Sequence, residues 1–108
     1  MCYFFYAYPY CFVFTTHTYV LHDSFGETPD WIELYNTGDV PVNLKNWQIT
    51  DNPEKDSFWV FPEIYIQAHS YLIVFASGKN HKDTTELHTD FKLSQMNEGV
   101  YLYTPQGV

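Results

Sequence analysis

Short apolar runs separated by turn residues dominate the chain from residue 30 onward. In residues 31–35, Ile32 and Leu34 fall on one side of an extended backbone and Glu33 on the other, as in a strand with one buried face. Similar runs of strand length occupy residues 40–44 (apolar at Val40, Val42 and Leu44), 47–49, 58–61, 64–66, 91–93 and 100–103. No amphipathic window of helical length competes with them. The pattern predicts an all-β domain.

The longest apolar run, residues 71–76, predicts a strand buried on both faces at the centre of the core. Residues 81–85 are a polar excursion, and residues 95–99 are expected to form a loop. Pro105 and Gly107 form a turn signal with only Val108 after it. We therefore expect the chain to stop inside a hairpin, which would leave residues 100–103 as an open edge.

The first fourteen residues are rich in Tyr and Phe, and no charged residue precedes Asp23. A secretory signal needs an early positive charge, but the first lysine is Lys45 and Pro9 interrupts the run. A membrane-spanning helix needs about 20 apolar residues, more than this run provides. Aromatic residues at this density favour strands, one on each side of Pro9. The alternative is that the segment is foreign to the domain. We therefore treat residues 1–22 as an aromatic-rich segment separate from a domain at residues 23–108.

Length and charge narrow the function classes. A chain of 108 residues is the size of one domain with one core. Five lysines and no arginine stand against thirteen acids, and the net charge is −8. Nucleic acids and anionic membranes are bound through basic residues, so both are disfavoured as partners. Cys2 and Cys11 lack the close spacing of zinc ligands, and the sequence leaves open whether they form a disulfide or stay as thiols.

Five segments together resemble the lamin tail domain family. They are DWIELYN at 30–36, NWQITD at 46–51, WVFP at 59–62, YLIVFASGK at 71–79 and ELHTDFKLS at 86–94. The resemblance implies an immunoglobulin-like β-sandwich. The first segment is more similar to bacterial members, which tend to be modules of secreted or cell-surface proteins, than to nuclear lamins.

Two departures from the family pattern stand out. The family opens with a strand similar to Ile-Asn-Glu-Ile, whereas residues 17–21 lack the Asn-Glu pair. The family also closes with a further strand after the final turn, and this chain ends before it. The chain is therefore interpreted as a lamin tail domain of bacterial type that is truncated at its C-terminus.

Few residues suggest chemistry. Ser77 lacks the glycine spacing of a nucleophile elbow and is interpreted as a turn serine. Residues 51–56 alternate oxygen-bearing side chains as a calcium loop does, but Pro53 intrudes and the bend glycine is absent, which favours a solvated Asx turn. Glu33 is expected on an outer face, opposite a Lys or Thr of a neighbouring strand.

The densest set of potential metal ligands lies between residues 81 and 90. Its members are His81, Asp83, Glu86, His88 and Asp90. Imidazole with carboxylate suits zinc. No helical or strand period brings the two histidines together, and the resemblance implies a structural role for His88, so no metal site is predicted.

The three tryptophans, Trp31, Trp47 and Trp59, each occur within a strand pattern. A sandwich of this size needs large rings to fill its core, so buried roles are predicted. Exposed coplanar indoles would instead indicate sugar stacking.

The sequence thus predicts a non-catalytic interaction or tethering module, an accessory domain of a secreted or cell-surface protein, with no catalytic residue, metal or cofactor. The expected partner is a protein or a surface polymer. One alternative is a carbohydrate-binding module of an extracellular enzyme. A second is an enzyme, which would need a convergent acid, base or metal cleft that the sequence does not show.

Overall fold

The computed structural model describes the backbone of residues 2–7, 10–16, 21–93 and 100–106, and the side chains of residues 21–93 and 100–106. These residues form eleven strands and no helix. The strands are β1 (Cys2–Ala7), β2 (Tyr10–Thr16), β3 (Asp30–Asn36), β4 (Val42–Asn43), β5 (Gln48–Thr50), β6 (Trp59–Val60), β7 (Tyr65–Ile66), β8 (Tyr71–Ala76), β9 (His81–Asp83), β10 (Glu86–His88) and β11 (Tyr101–Tyr103). Within the described part of the chain, no helix is long and apolar enough to cross a membrane.

The strands assemble into one large sheet and two small ones. The large sheet has six strands in the order β1-β2-β3-β8-β10-β9, and the small sheets have the orders β11-β5-β6 and β4-β7. Every strand pair is antiparallel except β8 with β10, which run parallel. The parallel pair requires a crossover between β8 and β10, and the short hairpin strand β9 lies on it.

One core joins the large sheet to the small ones. Its buried members are Ile32, Leu34, Val42, Leu44, Trp47, Ile49, Trp59, Phe61, Ile66, Val74, Ala76, Leu87, Phe91, Val100 and Leu102. They include residues from strands of all three sheets, so the inner face of the large sheet packs on the other two. This arrangement is the predicted all-β, immunoglobulin-like β-sandwich.

The aromatic N-terminal segment forms a hairpin of two strands, one on each side of Pro9, as the sequence predicts. Strand β2 pairs with β3, so the hairpin extends the large sheet. In the hairpin Cys2 is opposite Thr15 and Cys11 is opposite Tyr6. The two cysteines are therefore four residues apart in register, roughly 13 Å along the strands. A disulfide needs Cα atoms within about 7 Å, so this register favours thiols.

Strands β3 and β8 form the centre of the large sheet. Their register places Ile32 opposite Val74 on the core face and Trp31 opposite Phe75 on the outer face. The prediction that β8 is buried on both faces is correct for residues 74–76 and wrong for its beginning, since Tyr71 is 62% exposed. Tyr71 lies on the outer face, where a polar ring hydroxyl is compatible with solvent.

Two predicted strands differ from the structure. The strand predicted at residues 40–44 is longer than the observed one, which contains only Val42 and Asn43, because Val40 is exposed in the bend after β3. Residues 91–93 do not form a strand, and one isolated bridge joins Lys92 to Ser77. The polar excursion at 81–85 contains β9, and β10 follows directly after it. The entry segment 17–20 and the loop 95–99 lie outside the described residues.

The tryptophan prediction is confirmed. Trp47 and Trp59 are buried in the core, and the indole Nε1 of Trp59 donates to Asn80 Oδ1 at 2.9 Å. Trp31 is buried on the outer face of the large sheet. No indole therefore offers a flat exposed ring for sugar stacking.

Candidate functional site

The β9-β10 hairpin brings the two histidines together, which corrects the prediction that no period would do so. His81 is opposite His88 in the antiparallel register, and the ring centroids are 5.6 Å apart. The turn between the strands is short, and Asp83 Oδ1 accepts hydrogen bonds from the backbone N–H and the hydroxyl of Thr85. These bonds lower the pKa of Asp83. Four of the five predicted ligand candidates thus lie on one hairpin.

His88 is the most enclosed polar side chain of this hairpin, with 1% of its surface exposed. Its ring stacks on Phe75 of the neighbouring strand, with centroids 5.1 Å apart. Nδ1 shares a hydrogen bond of 2.7 Å with Ser77 Oγ, and Nε2 shares one of 2.6 Å with Glu86 Oε1. Both ring nitrogens therefore have defined partners. Ser77 orients this imidazole and is more than the turn serine that the sequence indicates.

The loop preceding β3 covers the hairpin. The backbone N–H of Ser24 donates to both carboxylate oxygens of Glu86, and the Ser24 hydroxyl donates to Oε1. The ring of Phe25 lies edge-on to His81 and His88. The hydrogen bond with His88 is the largest contribution lowering the pKa of Glu86, and the bond from Ser24 adds to it. Glu86 is therefore ionised at neutral pH.

An ion-pair network flanks this loop. The ammonium group of Lys79 contacts Asp23, which is buried, and lies 2.7 Å from Glu27 Oε1. Asp23 Oδ1 also accepts the backbone N–H groups of Phe25 and Glu27. Burial opposes ionisation of Asp23, but the bonds from Lys79 and the backbone outweigh it and lower its pKa. Burial likewise opposes the charge of Lys79, and its bonds to the two carboxylates outweigh that and raise its pKa.

We call Asp23, Ser77, Lys79, Glu86 and His88 the His88 cluster. Ligand atoms of its three potential metal ligands, Asp23, Glu86 and His88, all lie within 4.8 Å of one another. A cavity of about 250 Å³ opens beside Glu86 and His88 and is lined by Ser24, Phe25, His81, Asp83, Thr85, Glu86 and His88. A second cavity of about 600 Å³ lies on the Lys79 side and includes Lys92 and Asp30 in its lining.

The remaining predicted candidates lie elsewhere. Asp90 is exposed and does not line the cavity beside His88. In the loop at 51–56, Lys55 pairs with Asp51 at 2.6 Å and Asn52 Oδ1 accepts the backbone N–H of Glu54. This is the predicted Asx turn. Glu33 is opposite Thr15 in the sheet register, also as predicted.

The other end of β3 and β8 carries two tyrosines, of which Tyr35 is half-buried and Tyr71 is exposed. The rings of Tyr35 and Tyr71 pack against each other as a tilted stack, with centroids 4.5 Å apart and planes inclined by 33°. The turn after β3 presents Val40, which is 61% exposed, and Asp39, which pairs with His69 at 2.9 Å. We call Tyr35, Tyr71, Val40, Asp39 and His69 the tyrosine end.

Buried Asn36 holds the tyrosine end in place. Its Nδ2 donates to the carbonyls of Val40 and Ile66 at 2.8 and 3.1 Å, and its Oδ1 accepts the Gly38 N–H at 2.9 Å. Its backbone N–H donates to Ser70. Asn36 therefore joins the turn after β3 to the segment between β7 and β8, and it fixes both sides of the exposed surface.

Sequence reasoning missed Asp23, Ser24 and Lys79 as parts of one cluster. Ser24 and Glu86 are 62 positions apart, so no local pattern relates them. One feature of the sequence could have indicated part of the cluster. The candidate ligands at residues 81–90 follow shortly after Ser77, Gly78 and Lys79, which end a predicted central strand.

Comparison with known proteins identifies one family. The family model described as Lamin Tail Domain matches residues 17–108, which confirms the resemblance noted in the sequence. Strands β1 and β2 precede the matched residues. No curated protein and no solved structure matches the chain.

Proposed function

The chain belongs to the lamin tail domain family, and from this membership we propose that it is an interaction or tethering module of a secreted or cell-surface protein. Domains of this family are immunoglobulin-like and generally non-catalytic. In a module of this kind the sandwich supplies a rigid frame, and binding depends on the surface that the frame presents.

The observation that carries this proposal is the tyrosine end. Tyr71 is the most exposed of the large apolar side chains described, and it lies against Tyr35 on a central pair of strands. Tyrosines are enriched at protein interfaces because they give a large contact area with little loss of conformational freedom, and their hydroxyl stays compatible with water.

The bonds of Asn36 make this surface preorganised. The turn that carries Val40 and Asp39 is held by one side-chain amide, so a partner need not order it on binding. A smaller ordering cost leaves more of the contact free energy as affinity. The net charge of −8 opposes polyanionic partners, so the partner is a protein or an uncharged or basic surface polymer.

Retention on cells tests the proposal. The domain, fused to a fluorescent protein, is incubated with intact cells that produce it, and the retained fluorescence is measured. We expect Tyr71→Ala to reduce retention by about tenfold, as for an interface residue worth about 1.4 kcal/mol. Tyr101→Ala is the matched control, because Tyr101 is exposed on β11, in a different sheet. Absence of retention, or equal loss in both variants, would count against the proposal.

A carbohydrate-binding module is the second candidate. The burial of all three tryptophans removes the rings on which this hypothesis first depended. An exposed ring that remains for sugar stacking is that of Tyr71, which is 62% exposed and packs against the half-buried ring of Tyr35. Depletion of the domain by insoluble cellulose, chitin or peptidoglycan, abolished by Tyr71→Ala, would support sugar binding over protein binding.

A further inference from the structure

The His88 cluster carries an inference beyond this function: we propose that Asp23, Glu86 and His88 bind a divalent transition-metal ion of the zinc class. Each offers one ligand atom, and the three atoms lie within 4.8 Å of one another. Imidazole nitrogen and carboxylate oxygen together are a donor set that zinc prefers, and three protein ligands with solvent at the fourth position is a recurrent geometry.

The hydrogen bonds around His88 match those of a metal-binding histidine. In such sites one ring nitrogen binds the ion while the other is held by an outer partner that fixes the ring orientation. Here Ser77 Oγ holds Nδ1, and Nε2 points at Glu86 Oε1 from 2.6 Å. A tetrahedral zinc ion needs an N···O separation of roughly 3.3 Å, so the two side chains must part by less than 1 Å to admit it.

Glu86 is oriented in the same way. The backbone N–H and hydroxyl of Ser24 fix its carboxylate against the imidazole. Ligating carboxylates are commonly hydrogen-bonded by such outer partners. Both ligand side chains are therefore preoriented before an ion arrives.

The local charge favours a cation. Asp23 and Glu27 contact the ammonium group of Lys79, and the carboxylate of Glu86 lies within 4.8 Å of that of Asp23. These three carboxylates and one ammonium group leave two negative charges, which a divalent ion neutralises. Exposed Glu27 already contacts Lys79 at 2.7 Å, so the ammonium group keeps a partner when Asp23 turns to the ion.

The cavity beside the cluster gives access to solvent. Its volume of about 250 Å³ has room for several waters, at a share of about 30 Å³ each. His81 and Asp83 line the same cavity, so they can bind waters that complete the coordination of the ion.

Calorimetric titration of metal-free protein with zinc chloride tests the proposal. We expect one equivalent to bind, and Glu86→Gln, which removes a ligand charge at constant shape, to weaken binding by more than 100-fold. Ser77→Ala removes an outer partner and should weaken it by about 10–100-fold. The matched control is His69→Gln, because His69 forms an exposed imidazole–carboxylate pair with Asp39 away from the cluster.

A substitution of Lys79 distinguishes a metal site from a purely structural network. Lys79→Met removes the ammonium group that competes for Asp23, so zinc should bind this variant more tightly although the fold loses two ion pairs.

Three outcomes would overturn the proposal. They are absence of saturable zinc binding to the folded protein, binding unchanged by Glu86→Gln, and equal weakening by His69→Gln, which would indicate diffuse binding to an acidic surface. The near-ultraviolet circular dichroism of each variant establishes that it is folded. Asp23→Asn provides a second ligand variant if Glu86→Gln fails to fold.

Discussion

Replacement of Asn36 by alanine is the sharpest test of how the tyrosine end is held. Asn36 is 2% exposed, and its side chain makes three hydrogen bonds to backbone groups. Alanine removes all three and leaves the partner groups of Val40, Ile66 and Gly38 without the amide. No large cavity forms, so the cost comes from the lost bonds.

The magnitude follows from where each bond lies. The bonds to Val40 and Gly38 are partly buried, and each contributes about 1 kcal/mol net. The bond to the Ile66 carbonyl is buried, and a buried group left unpaired costs about 1–3 kcal/mol. We therefore expect Asn36→Ala to lower the free energy of unfolding by about 3 kcal/mol, a large share of the about 5–15 kcal/mol typical of a domain.

Urea unfolding followed by tryptophan fluorescence measures this loss, because all three indoles are buried in the folded state. The midpoint should fall while the slope stays constant. Asn43→Ala is the matched control, since Asn43 makes one exposed bond to the Lys45 N–H and should cost less than about 1 kcal/mol. Equal losses in the two variants would refute the assignment of Asn36 as the residue that holds this end.

Two further predictions concern ionisation and thiol chemistry. Folding lowers the pKa of Asp23 below its ordinary 3.8 and raises the pKa of Lys79 above its ordinary 10.5. The two charged groups therefore stabilise the fold fully between pH 3.8 and pH 10.5. This stabilisation is lost as the pH falls through the lowered pKa of Asp23 and as the pH rises through the raised pKa of Lys79. Urea unfolding measured across pH should show the free energy of unfolding decline at both extremes. Asp23→Asn should make the acidic decline less steep. Curves of the variant and the unsubstituted protein that superimpose would contradict this prediction. Cys2 and Cys11 should both react with Ellman's reagent in denatured, unreduced protein, and recovery of an intramolecular disulfide would contradict the hairpin register.

The sandwich was predictable because burial leaves a local signal. Ile32 and Leu34 alternate with Glu33, and the structure places the first two in the core. Trp47 and Ile49 share a face for the same reason. A strand with one face in the core needs apolar residues at every second position, so its sequence reveals it without knowledge of its neighbours.

The β9-β10 hairpin shows where this signal fails. All three residues of β9, His81 to Asp83, are exposed, so burial imposes no apolar alternation on them. Phe91 produced the opposite error, since it is buried in the core without belonging to a strand. Apolar residues therefore mark burial, and they mark strands only where burial and backbone pairing coincide.

The His88 cluster was hidden for a further reason. Its members come from the loop before β3, the end of β8 and the β10 strand, and they meet because β8 and β10 are parallel neighbours. The sequence does not specify that pairing, because parallel strands are joined by a crossover rather than by a tight turn. Only the assembled sheet brings Ser77 to the imidazole of His88.

Strand β8 also separates the two surfaces that carry the proposals. Tyr71 begins the strand and Ser77 follows its last residue, so the tyrosine end and the His88 cluster are roughly 20 Å apart at the rise of a strand. Substitutions more than about 10 Å apart that share no partner act independently. Loss of zinc binding in Glu86→Gln and loss of retention in Tyr71→Ala therefore report on different properties of the domain. A result against either proposal leaves the other standing, because what the two surfaces share is the rigid sheet between them.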